Sequence, residues 1–321
     1  MGVALALAAG CVHAQPDDRS RGDAYPAKPV RFVVGQAPGG ATDIMARALA
    51  QKLTAGLGQS VVVDNRAGAA GSIGAALVAK SQPDGYTLLF VSSSFSINPN
   101  LYPDLPFDPV GDFAPVALIA EAPFLLVVHP ALPAKSVAEL IALAKSKLGG
   151  LNYASGGNGS SGHLAGELFQ NLAGVKITHV PYKGAAPGTV DVIGGQIDIT
   201  FASVVSVLPH VTSGKLRALG ATGARRVSAL PQLPTLAEAG VKGYSTVTWY
   251  GVLAPKGAPS AVIGRLNAAI AAALQQGDFK ERLSREGADA IGGTPAQFAN
   301  YLDAEIRKWA RVIRESNIRV D

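Results

Sequence analysis

Between Tyr153 and Phe169 the chain reads YASGGNGSSGHLAGELF. Gly157, Gly159 and Gly162 keep the G-x-G-x-x-G spacing that lets a strand-to-helix turn press backbone amides against a dinucleotide pyrophosphate. Ser155, Asn158, Ser160 and Ser161 add hydroxyls and an amide, so the same stretch suits a smaller anion that is carried and not transformed. A dinucleotide site also needs an acidic residue for the ribose at the end of the next strand. The next strand-like run, KITHVPY, ends in Tyr182 and Lys183. An NAD(P)-dependent oxidoreductase using Gly157–Gly162 is therefore the weaker of the two readings.

Four more loops carry similar groups. Pro38-Gly39-Gly40-Ala41-Thr42-Asp43 follows VRFVVG, Ser92-Ser93-Ser94 closes YTLLFV, Tyr182-Lys183-Gly184-Ala185 follows KITHVPY, and Ala202-Ser203 ends IDITFA. In open α/β sheets ligands bind beyond the carboxyl ends of the strands. Helices that begin there present unpaired N–H groups and a positive dipole end. Backbone donors, hydroxyls, one amide and the single cation Lys183 suit a carboxylate. The candidate ligand-binding residues are thus Gly39, Gly40, Ala41, Thr42, Asp43, Ser92, Ser93, Ser94, Ser155, Gly157, Asn158, Ser160, Ser161, Tyr182, Lys183, Gly184, Ala185 and Ser203. Asp43 is awkward beside an anion. It either caps its turn or selects a ligand ammonium or hydroxyl. Trp249 reads as core, and His163 as a structural group in place of a general base. No G-x-S-x-G, H-E-x-x-H or G-x-x-x-x-G-K-[ST] motif occurs, and His129, His163, His179 and His210 lack metal-ligand spacing. No catalytic residue, metal or cofactor is expected.

The elements that must position these loops alternate. Strand-like runs VRFVVG, SVVVDN and YTLLFV alternate with helical runs IMARALAQKL and IGAALVAKSQ. PVALIAE and FLLVVHP read as two further strands. Ser136 to Glu139 forms a capping box before AELIALAKSKLG. LNYAS, KITHVPY, IDITFA, LRALGA and STVTWYGVL read as strands, LAGELFQNLAG as a helix and TVDVIGGQ as a helical turn. Ser260 is expected to cap AVIGRLNAAIAAALQQ, and Thr294-Pro295 to open the last helix. Repeated strand–loop–helix units predict an α/β protein with mostly parallel sheets.

The chain has 321 residues, 48% apolar and 16% charged, which predicts a globular protein of two lobes. No run of about 18 apolar residues occurs. Residues 1–14 resemble a secretory signal peptide, with an apolar stretch and a small-x-small site ending at Ala14, although the usual positive start is missing. Residues 15–28 read as a polar linker. Cys11 is the only cysteine, and Ala8 stands where a lipoprotein signal favours Leu, which argues against lipidation. Cleavage after Ala14 would leave no thiol for a disulfide, nucleophile or metal. The net charge of +5 comes from scattered Lys and Arg, which argues against nucleic acid.

Several stretches together resemble one family. YPAKPVRFVVGQAPGGATDIMARALA, VVVDNRAGAAGSIGA, PDGYTLLFVSSSFSINPNLY, LNYASGGNGSSGHLAGELF, HVPYKGAAPGTVDVIGGQID, LPHVTSGKLRALG and LPTLAEAGVKGY are similar to the extracytoplasmic solute receptors of tripartite tricarboxylate transporters, the Bug proteins. The resemblance implies a periplasmic binding protein of the two-lobed type II kind, with a ligand cleft between lobes. It implies lobe 1 over 29–127 plus 250–321 and lobe 2 over 128–249, crossing near Val127–His129 and returning near Thr248–Tyr250. It also implies a monomer that captures a small carboxylate without catalysis and presents it to the membrane components of the transporter. A sensor kinase as the partner is the alternative. Family members often carry an acidic residue near Ala202, where this chain has TFASVV, so a ligand amino group is disfavoured.

Overall fold

The computed structural model describes residues 25–146, 150–285 and 287–315. The expected signal peptide, with Cys11, and most of the linker lie outside the described residues. β1 (Val30–Val34) leads into α1 (Ala41–Leu57), β2 (Val61–Asn65), α2 (Ser72–Ala79) and β3 (Thr87–Ser92). β1 lies between β2 and β3, parallel to both. After the short α3 (Ser94–Ile97) comes β4 (Phe113–Val128), 16 residues long. Then follow α4 (Val137–Ser146), β5 (Leu151–Ser155), α5 (Ser161–Ala173), β6 (Ile177–Pro181), α6 (Ala185–Ile193), β7 (Ile199–Ser203), α7 (Val204–Thr212) and β8 (Arg217–Ala221). The chain returns along β9 (Val247–Pro255) and ends in α8 (Ser260–Gln275), α9 (Gly277–Arg285), β10 (Asp289–Ala290) and α10 (Pro295–Glu315).

The strand order is β2-β1-β3-β9-β4-β7-β5-β6, with β8 and β10 also on β4. This is an α/β fold, a curled mixed sheet with flanking helices. The expectation of mostly parallel strands needs one correction. β1–β2, β1–β3, β5–β6 and β5–β7 are parallel, whereas β4 and β9 run antiparallel to every strand they pair with. The two linking strands cross in opposite directions, so they cannot match both sets of neighbours.

PVALIAE and FLLVV are one strand, not two. Pro123 interrupts the pattern without ending it, because it falls where β4 changes partners. Phe113–Pro123 pairs with β9, and Phe124–Val128 with β7 and β8. This exchange precedes the expected crossing at Val127. It is stitched by side chains: Thr222 Oγ1 accepts from Phe124 N–H (2.8 Å) and donates to Thr246 carbonyl (2.8 Å). Thr222 and Thr246 also pair through their backbones.

The Thr294 cap forms as expected, with Gln297 N–H donating to Thr294 Oγ1 and Thr294 N–H donating to Gln297 Oε1. Ser260 is not the cap of α8; Pro259 holds that place and Ser260 is the first helical residue. α7 has no forewarning in the sequence, since β-branched Val204, Val205 and Val207 and the internal Pro209 oppose a helix. Burial of Val204, Val205, Val207 and Leu208 overrides that propensity.

One close approach sets the first rim of the site. A Cβ built on Gly35 would stand 2.5 Å from Gly71 Cα and 2.6 Å from its carbonyl oxygen. Only glycine lets the 68–71 turn, which carries Ala70, dock on the end of β1. Gly35→Ala is expected to destabilise the protein by about 1–3 kcal/mol through overpacking. Urea denaturation should show a lower midpoint with an unchanged slope.

Candidate functional site: an uncharged cavity at helix N-termini

A cavity of about 70 Å³ lies at the carboxyl ends of β1, β3, β5 and β7. Gly40, Ala41 and Thr42 wall it from the start of α1, and Ser160, Ser161 and Gly162 from the start of α5. Gly184 and Ala185 face it where α6 begins, and Ser203 where α7 begins. Each helix leaves its first amides without intrahelical acceptors, so N–H groups and dipole ends converge there. Ser92 and Ser94 add hydroxyls. Phe124, Thr248 and Tyr250 come from the two linking strands, and Phe201, Ala202 and Ser206 from β7 and α7. None of the described residues on this wall carries a formal charge. The arrangement is suited to an anion held by main-chain donors. A cation would find no counter-charge there.

Eight of the expected residues do not line this cavity. The Asp43 carboxylate, 3% exposed, holds the turn instead of meeting a ligand. It accepts from Gly39 N–H, Arg47 Nε and Asn65 Nδ2, each at 3.0 Å. Burial pushes its pKa up, but these hydrogen bonds outweigh burial and hold it below the usual carboxylate value. Gly39 belongs to that same turn. Ser93 is fully buried and bridges the sheet halves, with its Oγ 2.7 Å from Ser161 Oγ and donating to Thr248 Oγ1 at 3.0 Å. Ser155 Oγ lies 2.6 Å from His179 Nε2. Gly157, Asn158, Tyr182 and Lys183 line an adjoining opening of about 180 Å³, which shares Gln36, Ala70, Gly156 and Gly184 with the inner cavity. The sequence reading missed Gln36, Ala70, Phe124, Gly156, Gly162, Phe201, Ser206, Thr248 and Tyr250. Gly156 and Gly162 lay in the glycine-rich stretch already singled out, and Gln36 had a local signal as a polar residue ending an apolar strand just before the glycine turn.

The loop 156–162 is shaped by protein contacts. Gly159 N–H donates to His163 Nδ1 (3.2 Å), and a Cβ on Gly159 would meet Asn98 and Tyr102 at 3.0 Å. Tyr102 OH donates to Asn158 carbonyl at 2.7 Å. Gly162 approaches Phe201 carbonyl so closely that a Cβ would lie 2.7 Å from it. Gly159 therefore serves packing against Asn98 and Tyr102, and Gly162 packing against β7. Ser160 caps α5, accepting from His163 N–H.

His163 and His179 stack 4.1 Å apart beneath this loop. Burial lowers His163 to about 3, helped by the neighbouring His179, and burial lowers His179 to about 4. His163 Nε2 lies 3.7 Å from Glu167, which also accepts from Tyr153 OH at 2.7 Å. Trp249 is core, as expected, packed edge-on against Phe298 and Tyr301.

A sequence profile described as tripartite tricarboxylate transporter family receptor matches residues 45–318. The chain belongs to that family. It is 41% identical to Protein BugT of Bordetella pertussis over 300 residues, 93% of this chain and 92% of BugT. The structure of the periplasmic binding protein BugD superposes with a TM-score of 0.89 at 34% identity, covering 92% of this chain and 99% of BugD. R. palustris Rpa4515, solved with adipate, superposes with a TM-score of 0.90 at 40% identity, covering 92% and 99%.

The histidine pair makes a pH test. Both groups have folded pKa values below the ordinary 6.5, so folding favours their neutral forms. Their contribution is full above pH about 6.5 and is lost as pH falls toward 4, because the unfolded chain binds protons first. Chemical denaturation from pH 7 to 4 should show falling stability, and a His163→Gln/His179→Gln variant should show a shallower slope.

Proposed function

We propose that this protein is an exported, monomeric receptor that closes on one small carboxylate and presents it to a tripartite tricarboxylate-type transporter, without making or breaking a bond. The observation that carries this reading is the uncharged cavity ringed by the opening turns of α1, α5, α6 and α7. Adipate in Rpa4515 is in keeping with such a cargo. Among the described residues no helix is long and apolar enough to cross a membrane. The two lobes meet at Pro123–Phe124 of β4 and Thr246–Thr248 before and within β9, and Gly157, Asn158, Tyr182 and Lys183 serve the mouth of the cleft.

The energies are adequate. Hydrogen bonds to a charged group contribute roughly 1.5–3 kcal/mol each. Four or five of them, less the cost of immobilisation and closure, leave about −8 kcal/mol, which is micromolar binding. A receptor that must also release its cargo operates usefully there.

Titration calorimetry with acetate, succinate, malate, adipate and citrate tests the reading. At least one acid should bind, and at 100 times its Kd it should add about 2.7 kcal/mol to stability with no product formed. Silence across the panel, or turnover of a bound acid, contradicts it. Tyr102→Phe removes a hydrogen bond made only across the cleft. It should weaken binding several-fold, about 0.5–1.5 kcal/mol, and leave the ligand-free melting temperature nearly unchanged.

A further inference from the structure

Gln36 stands where β1 meets the glycine turn, on the wall of both the inner cavity and the adjoining opening. Its side-chain Nε2 donates to Ser94 Oγ at 3.3 Å. Its Oε1 is buried and meets no donor among the described residues. Asn98, 2% exposed, has the same deficit. Asn98 Nδ2 donates to Ala70 carbonyl (3.3 Å) and Ser72 Oγ (3.1 Å). A carbonyl can only accept, so the Asn98 amide cannot be reversed, and its Oδ1 is the atom left without a donor.

Both residues line one cavity of about 10 Å³. That is room for a single water. Buried carbonyl oxygens are rarely left unpaired, and a water carries two hydrogens for two acceptors. We infer that one ordered water bridges Gln36 Oε1 and Asn98 Oδ1, and that it fixes Gln36 with its NH₂ toward the cleft as a donor to the cargo.

This inference rests on the carboxylate reading and names the residue that enforces it. One Nε2 hydrogen goes to Ser94 Oγ, which leaves the other for the junction of the two spaces that Gln36 lines. Ser92 Oγ lies 3.2 Å from Ser94 Oγ, so the donor direction set by the water runs on along the serines. A cargo that places an acceptor oxygen at this junction is favoured, and one that places an amide N–H or ammonium there is rejected. Gln36 is thereby a specificity-determining residue held in place by Asn98.

The test uses the full exported chain. A high-resolution crystal structure should show water density within hydrogen-bond distance of Gln36 Oε1 and Asn98 Oδ1. Gln36→Glu keeps an acceptor for that water but replaces the donor facing the cleft. Calorimetry with succinate and adipate at pH 7.5 should show affinity lowered at least about tenfold. The gap to wild type should narrow as pH falls toward the ordinary glutamate pKa of about 4.3, because protonation restores a donor. Because an ionised glutamate also repels the cargo, Gln36→Met, which removes the donor without adding a charge, should lose affinity as well; a Gln36→Met variant that binds as wild type does assigns the Gln36→Glu loss to repulsion and overturns the donor role. Absence of the water, or a Gln36→Glu variant that binds as wild type does at pH 7.5, overturns the inference. If wild type binds none of the acids, the carboxylate reading and the donor role fall together, and the density alone decides the water.

Discussion

A carboxylate leaves water only where other donors replace those it gives up. Most buried anions meet an arginine or lysine. This cavity offers neither on its described walls, and the constraint explains much of the structure. The donors left are main-chain amides and small polar side chains, and the first turn of a helix leaves its amides without intrahelical partners. Four helices therefore begin at one place, and they can do so only because the strands before them end there. Small residues at Gly40, Ala41, Gly162, Gly184 and Ala185 leave the backbone bare on the cavity wall.

The same constraint explains why supporting residues are costly to alter. Asp43 is negative and buried beside the inner cavity, yet its lone pairs are taken by Gly39, Arg47 and Asn65. It shapes the turn whose amides face the cavity and is largely neutralised in doing so. His163 and His179 lie directly under the second donor loop, and burial keeps both uncharged at neutral pH. Neutrality there matters because a charged imidazole would disturb the packing that holds the loop.

Much of this was legible in the sequence, for local reasons. Strand-to-helix turns at 38–43, 155–161 and 182–185 have glycines and small polar residues whose spacing names the turn. Which of those residues reach the cavity was less legible. Among the three serines Ser92 and Ser94 line it, whereas Ser93 points to Ser161 and Thr248. Ser155 looked free but is engaged by His179, 24 residues away. Phe124, Thr248 and Tyr250 come from linking strands whose pairing register is a long-range property. Their places depend on Phe124 lying opposite Ser203 and Ser92 opposite Tyr250. The single long β4 was hidden by Pro123, which reads as a stop until the partner exchange is seen.

The central claim is that anionic cargo is held by main-chain amides in the inner cavity. The most direct measurement is a crystal structure of the protein with a bound acid, either co-purified or added. The account expects its carboxylate oxygens within hydrogen-bond distance of backbone N–H groups from the first turns of α1 and α5, with no arginine or lysine in contact. A ligand gripped by a cationic side chain, or seated in the larger groove between Lys135 and Ala239 on the outer face, would contradict it.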